Sequence, residues 1–100
     1  MEPLSKAEVA EFLTQQLTDW ILSENTLNRE LRFRNFVDAF SFMTAIALAA
    51  EKMKHHPDWS NSYNKMSISL TTHEAGGITQ RDFDLAATID RHYKRLTAIL

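Results

Sequence analysis

The 100-residue sequence has no cysteine. That excludes disulfides, thiol nucleophiles and cysteine-built zinc or iron–sulfur sites, and it removes any need for an oxidising compartment. Glycine and proline occur only twice each, and there is no repeat, low-complexity tract or linker. A surplus of positive charge is missing too: the net charge is -2. Direct nucleic-acid binding and attachment to an anionic membrane therefore have no electrostatic footprint. Long apolar runs are also lacking. The longest, Ala45 to Ala50, is far too short to cross a hydrocarbon layer of about 30 Å. The start, Met1-Glu2-Pro3-Leu4, has no apolar segment of the kind a secretory signal requires. The expectation is a soluble, cytoplasmic protein.

What the chain does have is 44% hydrophobic residues, enough for a single domain over 1–100 that buries roughly two-thirds of its unfolded surface. Ser5-Lys6-Ala7-Glu8 forms a capping-box pattern, and Val9, Phe12, Leu13 and Leu17 follow at helical spacing, so a first helix is predicted from Lys6 to Leu17. Trp20 and Leu22, a polar Ser23-Glu24-Asn25 turn, and then Leu27, Leu31 and Phe33 in one parity predict a hairpin with one buried face, Arg29 being the exception. Asn35 caps a second helix, with Asp38 well placed against its dipole, and nothing breaks it before Pro57. Its residues Phe36, Ala39, Phe40, Met43, Ile46, Ala47 and Ala50 cover about half the circumference, with Val37, Ala45 and Leu48 beyond them. Such a helix needs cover on more than one side, and a second subunit is the economical source.

After Pro57 a short strand and turn precede Met66, Ile68 and Leu70, which alternate with Lys65, Ser67 and Ser69 as in a strand with one wet face. Gly76-Gly77 marks a tight loop. Thr79 to Asp82 opens the last helix, with Leu85, Ala86, Ile89, Leu96 and Ile99 facing inward. The order α-β-β-α-β-β-α predicts an α+β fold: a four-stranded antiparallel sheet with three helices on one face.

Three of the four histidines lie near element ends: His55 and His56 ahead of Pro57, and His73 ahead of the glycine loop. Element ends are where scaffolds present reactive groups. Imidazole both donates and accepts protons near neutral pH, which suits acid–base catalysis. Simple stabilisation of a helix C-terminus by imidazolium also explains His55 and His56, and by position alone it is the commoner role. Metal ligation is the other sharp reading, but adjacent residues on a helix point about 100° apart and close poorly on one ion. Glu51 and His55 stand at i, i+4, where a carboxylate orients an imidazole; the alternative for Glu51 is a solvated charge. Asp82 reads first as a cap, with reach to the rim of the His73 loop. Trp20, Trp59 and Tyr63 read as core, and His92 as structural or solvated.

Glu51-x-x-x-His55-His56-Pro57-x-Trp59-x-Asn61-x-Tyr63 followed by Thr72-His73-x-x-Gly76-Gly77-Ile78-Thr79-x-x-Asp82-x-x-Leu85-Ala86 closely resembles the pterin-4a-carbinolamine dehydratase family. The likeness runs from about Phe33 to Ala86 and includes Phe40-Ser41-Phe42-Met43; before it, Trp20 is the one position carried over. The resemblance implies the same α+β fold and the elimination of water from 4a-hydroxytetrahydrobiopterin to quinonoid dihydrobiopterin, with no metal and no bound cofactor. It implies that His55, His56 and His73 are catalytic, with His55 and His73 the preferred proton-transfer pair. Around the pterin it places Trp20, Glu51 in support of His55, Pro57, Thr72, Glu74, Ala75 and Asp82. Lys54 departs from relatives that carry an acidic group there. The resemblance further implies a dimer of dimers. As partners it implies either an aromatic amino-acid hydroxylase, whose product would be recycled, or a homeodomain transcription factor for which some members act as dimerisation cofactors. A non-catalytic pterin-binding module is the third reading.

Overall fold

A computed structural model describes residues 2–98. Its elements are α1 (Lys6–Gln15), β1 (Ile21–Ser23), β2 (Thr26–Arg32), α2 (Phe36–Met53), β3 (Asp58–Ser62), β4 (Lys65–Leu70), a 3-10 turn (His73–Ala75) and α3 (Gln80–Ala98). The class is α+β and the order of helices and strands is the one expected. The four strands pair antiparallel throughout, in the order β1-β2-β4-β3.

Period-2 alternation produces one dry face and one wet face. Leu27 and Leu31 on β2 stand opposite Leu70 and Met66 on β4, and all four are buried. Their neighbours Glu30, Arg32, Lys65 and Ser67 point to the other side and are exposed. Against the dry face pack Val9 of α1, Ala39, Phe42, Ile46 and Ala50 of α2, and Phe83, Leu85, Ala86 and Ile89 of α3. Arg29 breaks the apolar parity because it has partners waiting. Its side chain, 13% exposed, pairs with Asp90 of α3, lies 3.5 Å from Asp19, and sits 5.1 Å over the Tyr93 ring. The Trp20 indole N–H donates to the same Asp90 at 2.8 Å, so one carboxylate fastens the first hairpin to α3.

The capping box at Ser5 and Glu8 forms as read, although α1 stops at Gln15, short of Leu17. At α2 the Asn35 side chain accepts from the Asp38 N–H at 2.9 Å. The stripe of α2 turned inward is Ala39, Phe42, Ile46 and Ala50, and Phe36, Phe40 and Ala47 face out, so that apolar residues lie on more than one side of the helix. One expectation needs correction: the helix ends at Met53 and does not continue to Pro57, because Lys54 takes up the left-handed conformation with φ 55° and ψ 40°. Its N–H and that of His55 both return to the carbonyl of Ala50, which closes the last turn.

Gly76 supplies a left-handed φ of 75° after the 3-10 turn. Gly77 is there for space, since a Cβ on it would stand 3.0 Å from Pro3 Cβ. Leu96 is half-buried against the core, and Ile99 lies outside the described residues. Among the described residues no helix is long and apolar enough to cross a membrane.

Candidate active site

The left-handed turn at Lys54 decides where the two adjacent histidines go. Beyond it the chain is extended towards β3, so consecutive side chains point to opposite sides. His55 turns in and is 7% exposed, while His56 turns out. The inward ring meets Asp82, a fully buried residue in the first turn of α3, and Nε2 of His55 lies 2.6 Å from its Oδ1.

Asp82 is satisfied on both oxygens. Oδ2 accepts from the Thr72 hydroxyl at 2.7 Å and from the Thr79 backbone N–H at 2.9 Å. Since the Thr72 hydroxyl donates to the carboxylate, the Thr79 hydroxyl, 2.8 Å away, is the donor to Thr72. A carboxylate ringed by donors fixes the tautomer of the imidazole: Nε2 carries the hydrogen that Asp82 accepts, and Nδ1 is left for a ligand. The same logic orients histidine in Ser-His-Asp triads.

His55 forms the floor of a cavity of about 230 Å³ whose lining also includes His56, Pro57, Asp58, Thr71, His73, Glu74 and Arg81. His56 and His73 stand at the rim, with side chains 65% and 80% exposed. Nε2 of His56 lies 2.8 Å from Glu51 Oε1, and Nε2 of His73 lies 3.9 Å from Asp58 Oδ2. Arg81 braces the wall: one guanidinium nitrogen donates to the Lys54 carbonyl at 2.7 Å and another to Glu74 at 3.2 Å. A larger groove, about 500 Å³, opens on the bare face of the sheet and contains no histidine. Acid–base groups gather at the smaller cavity.

The sequence pattern of the family described as pterin 4 alpha carbinolamine dehydratase matches residues 2–92. The chain belongs to the pterin-4a-carbinolamine dehydratase family. Among its relatives, a protein of Solibacter usitatus is 49% identical over 87% of this chain and 90% of its own length. One from Prochlorococcus marinus is 53% identical over 72% and 76%. Both names assign those proteins provisionally to pterin-4-alpha-carbinolamine dehydratase. A crystal structure from Brucella melitensis, titled transcriptional coactivator/pterin dehydratase, superposes with a TM-score of 0.87 at 33% identity, covering 92% of this chain and 99% of that one. A pterin dehydratase-like protein described as a RuBisCO assembly factor of the alpha-carboxysome shares the fold, with a TM-score of 0.62 at 19% identity over 74% and 86%.

On this pterin dehydratase scaffold the residues singled out in the sequence fall into three groups. His55, His56, Pro57, His73 and Glu74 line one cavity. Thr72 and Asp82 are buried behind His55, so Asp82 holds the imidazole from the back and does not reach the rim; it acts beyond the cap first read there. Glu51, Ala75 and Trp20 do not line the cavity. The expected support of His55 by Glu51 is replaced by support of His56, because α2 ends before His55 and the i, i+4 relation no longer applies. Trp20 is 3% exposed and its indole is committed to Asp90. Four lining residues were not read as part of the site: Lys54, Asp58, Thr71 and Arg81. Asp58 and Thr71 carry only the wet parity of β3 and of the chain continuing β4, Arg81 only its place beside a helix cap, and Lys54 only its place before the histidines, signals shared by any solvated side chain.

Proposed function

We propose that this chain eliminates water from 4a-hydroxytetrahydrobiopterin to give quinonoid dihydrobiopterin, in the cytoplasmic recycling of the pterin after aromatic amino-acid hydroxylation. The observation that carries this reading is the buried His55–Asp82 pair at the floor of a cavity ringed by two further imidazoles. The C4a–O bond breaks and the hydroxyl leaves as water with a proton from an acid. The N5–H proton passes to a base as the C4a=N5 double bond forms. One group that gives a proton and one that takes it complete the balance, and imidazole does either at neutral pH. His55, oriented by Asp82, and His73, across the cavity, are the pair we assign, with the order of acid and base left open between them. His56 and Glu74 contact the substrate from the rim.

Dehydration of substrate generated in situ, measured for the parent, His55→Ala and His73→Ala, tests this. One or both variants should lose at least about 10²-fold in rate. Equal rates in all three proteins overturn the assignment.

A second property rests on α2. Val37 and Leu48 are 67% and 70% exposed, with Phe36 and Phe40 beside them, an apolar face that water does not favour. We assign it to self-association into a dimer of dimers. Docking of a transcription factor on the same face is the alternative occupant.

A further inference from the structure

The wet face of the sheet is not uniformly furnished. At one end it carries long cations, Arg32 opposite Lys65. Towards the other end the rows read Glu30-Ser67-Ser60 and Asn28-Ser69-Asp58 across β2, β4 and β3, so that short serines occupy the middle strand. Short side chains in place of the long ones common on solvated strands leave the groove of about 500 Å³ that these residues line. The groove meets the histidine cavity, for Asp58 lines both. Along β4 and just past it the alternation continues the connection. Thr71 lines the histidine cavity, and Ser69 and Ser67, two and four residues back on the same face, line the groove.

We infer that this serine-floored groove is the subsite for the C6 side chain of the substrate and selects a neutral, hydroxyl-bearing one. The inference rests on the dehydratase reading above. The reacting atoms are C4a and N5, and C6 is bonded to N5. A ring that brings N5 to the imidazoles must therefore project its C6 substituent from the same edge, past His73 and Asp58. Hydroxyl partners for a diol follow at the strand repeat of same-face residues, about 7 Å. Charge selects further: Asp19, Glu30 and Asp58 line the groove, and the one cation, Arg29, is already committed to Asp90 and Asp19. A tail that ends in carboxylates meets a negative field.

The test uses the whole protein and the double variant Ser67→Val, Ser69→Val, whose β-branched replacements suit an exposed strand. The kcat/KM for dehydration is measured on 4a-hydroxytetrahydropterins that carry a 1,2-dihydroxypropyl, a methyl or a carboxylated aminobenzoylglutamyl group at C6. In the variant the preference for the dihydroxypropyl over the methyl substrate should fall by about five- to thirty-fold, as expected for one or two lost hydrogen bonds. In the parent the carboxylated substrate should be the poorest of the three. A dihydroxypropyl-to-methyl ratio that does not move between parent and variant overturns the subsite while leaving the dehydratase reading intact. Failure of the parent to dehydrate any of the three overturns both.

Discussion

At the scale of single residues, the candidate site is organised by a carboxylate with no exposed surface. Asp82 holds His55, Thr72 and the backbone of Thr79 at once, and a buried acceptor with three donors is costly to alter because each donor would be left unpaired. Asp82→Asn is therefore expected to lower stability by about 1–3 kcal/mol and turnover by on the order of 10²-fold or more. The distinguishing readout is the ring ¹⁵N spectrum of His55. Loss of the fixed tautomer marks a positioning role, whereas a purely structural one would lower the melting temperature and leave the tautomer in place. The histidines themselves were legible in the sequence, since a proline and a glycine pair flag the ends on which they sit. The partnership of His55 was not, because Asp82 is 27 residues away and its local pattern is fully accounted for as a cap.

Among the secondary-structure elements, the caps account for most of what could be foreseen and the one that was missed accounts for most of what could not. Ser5 and Glu8 satisfy one another's backbone N–H groups, as the tetrad predicted. The backbone N–H of Ser5, and then its hydroxyl, hold the Glu8 carboxyl below its ordinary value. A carboxyl with a lowered folded-state pKa stabilises the fold above its unfolded value and loses that contribution as the pH falls through the folded one. Thermal midpoints of the parent and Glu8→Gln should thus differ most near neutrality and converge in acid; a constant difference across that range contradicts the assignment. By contrast, the end of α2 at Met53 depends on a left-handed lysine, a residue that normally avoids that conformation. No composition signal marks it, so the helix reads through to Pro57 and Glu51 is matched to the wrong imidazole. Which side of α2 the sheet covers was not legible for a related reason. Phe40 and Phe42 are equally apolar, and only the tertiary arrangement tells which of them is buried.

For the whole molecule, a sheet wet on one side and three helices on the other follow directly from the two periodicities in the chain, which is why the fold was the most legible part. The groove on the wet face was not, since it depends on the register that sets Ser60 against Ser67 and Asp58 against Ser69. The apolar face of α2 was anticipated as an excess of hydrophobic positions, although its members changed. If it is a subunit contact, Phe40→Lys with Leu48→Lys should reduce the assembly to a smaller species in sizing experiments at micromolar concentration, with the far-ultraviolet circular dichroism of the parent retained. A parent that is already monomeric there contradicts the assignment.

The turn at Lys54 also fixes how this stretch can change over time. Between the left-handed residue and Pro57 there are two positions, one facing in and one facing out, and both hold the same kind of side chain. Loss of one residue there would leave a single imidazole to serve either Asp82 or the rim but not both, and an insertion ahead of His55 would seat a different side chain against Asp82. The segment is thus far more tolerant of substitution on its outer side than of any change in length.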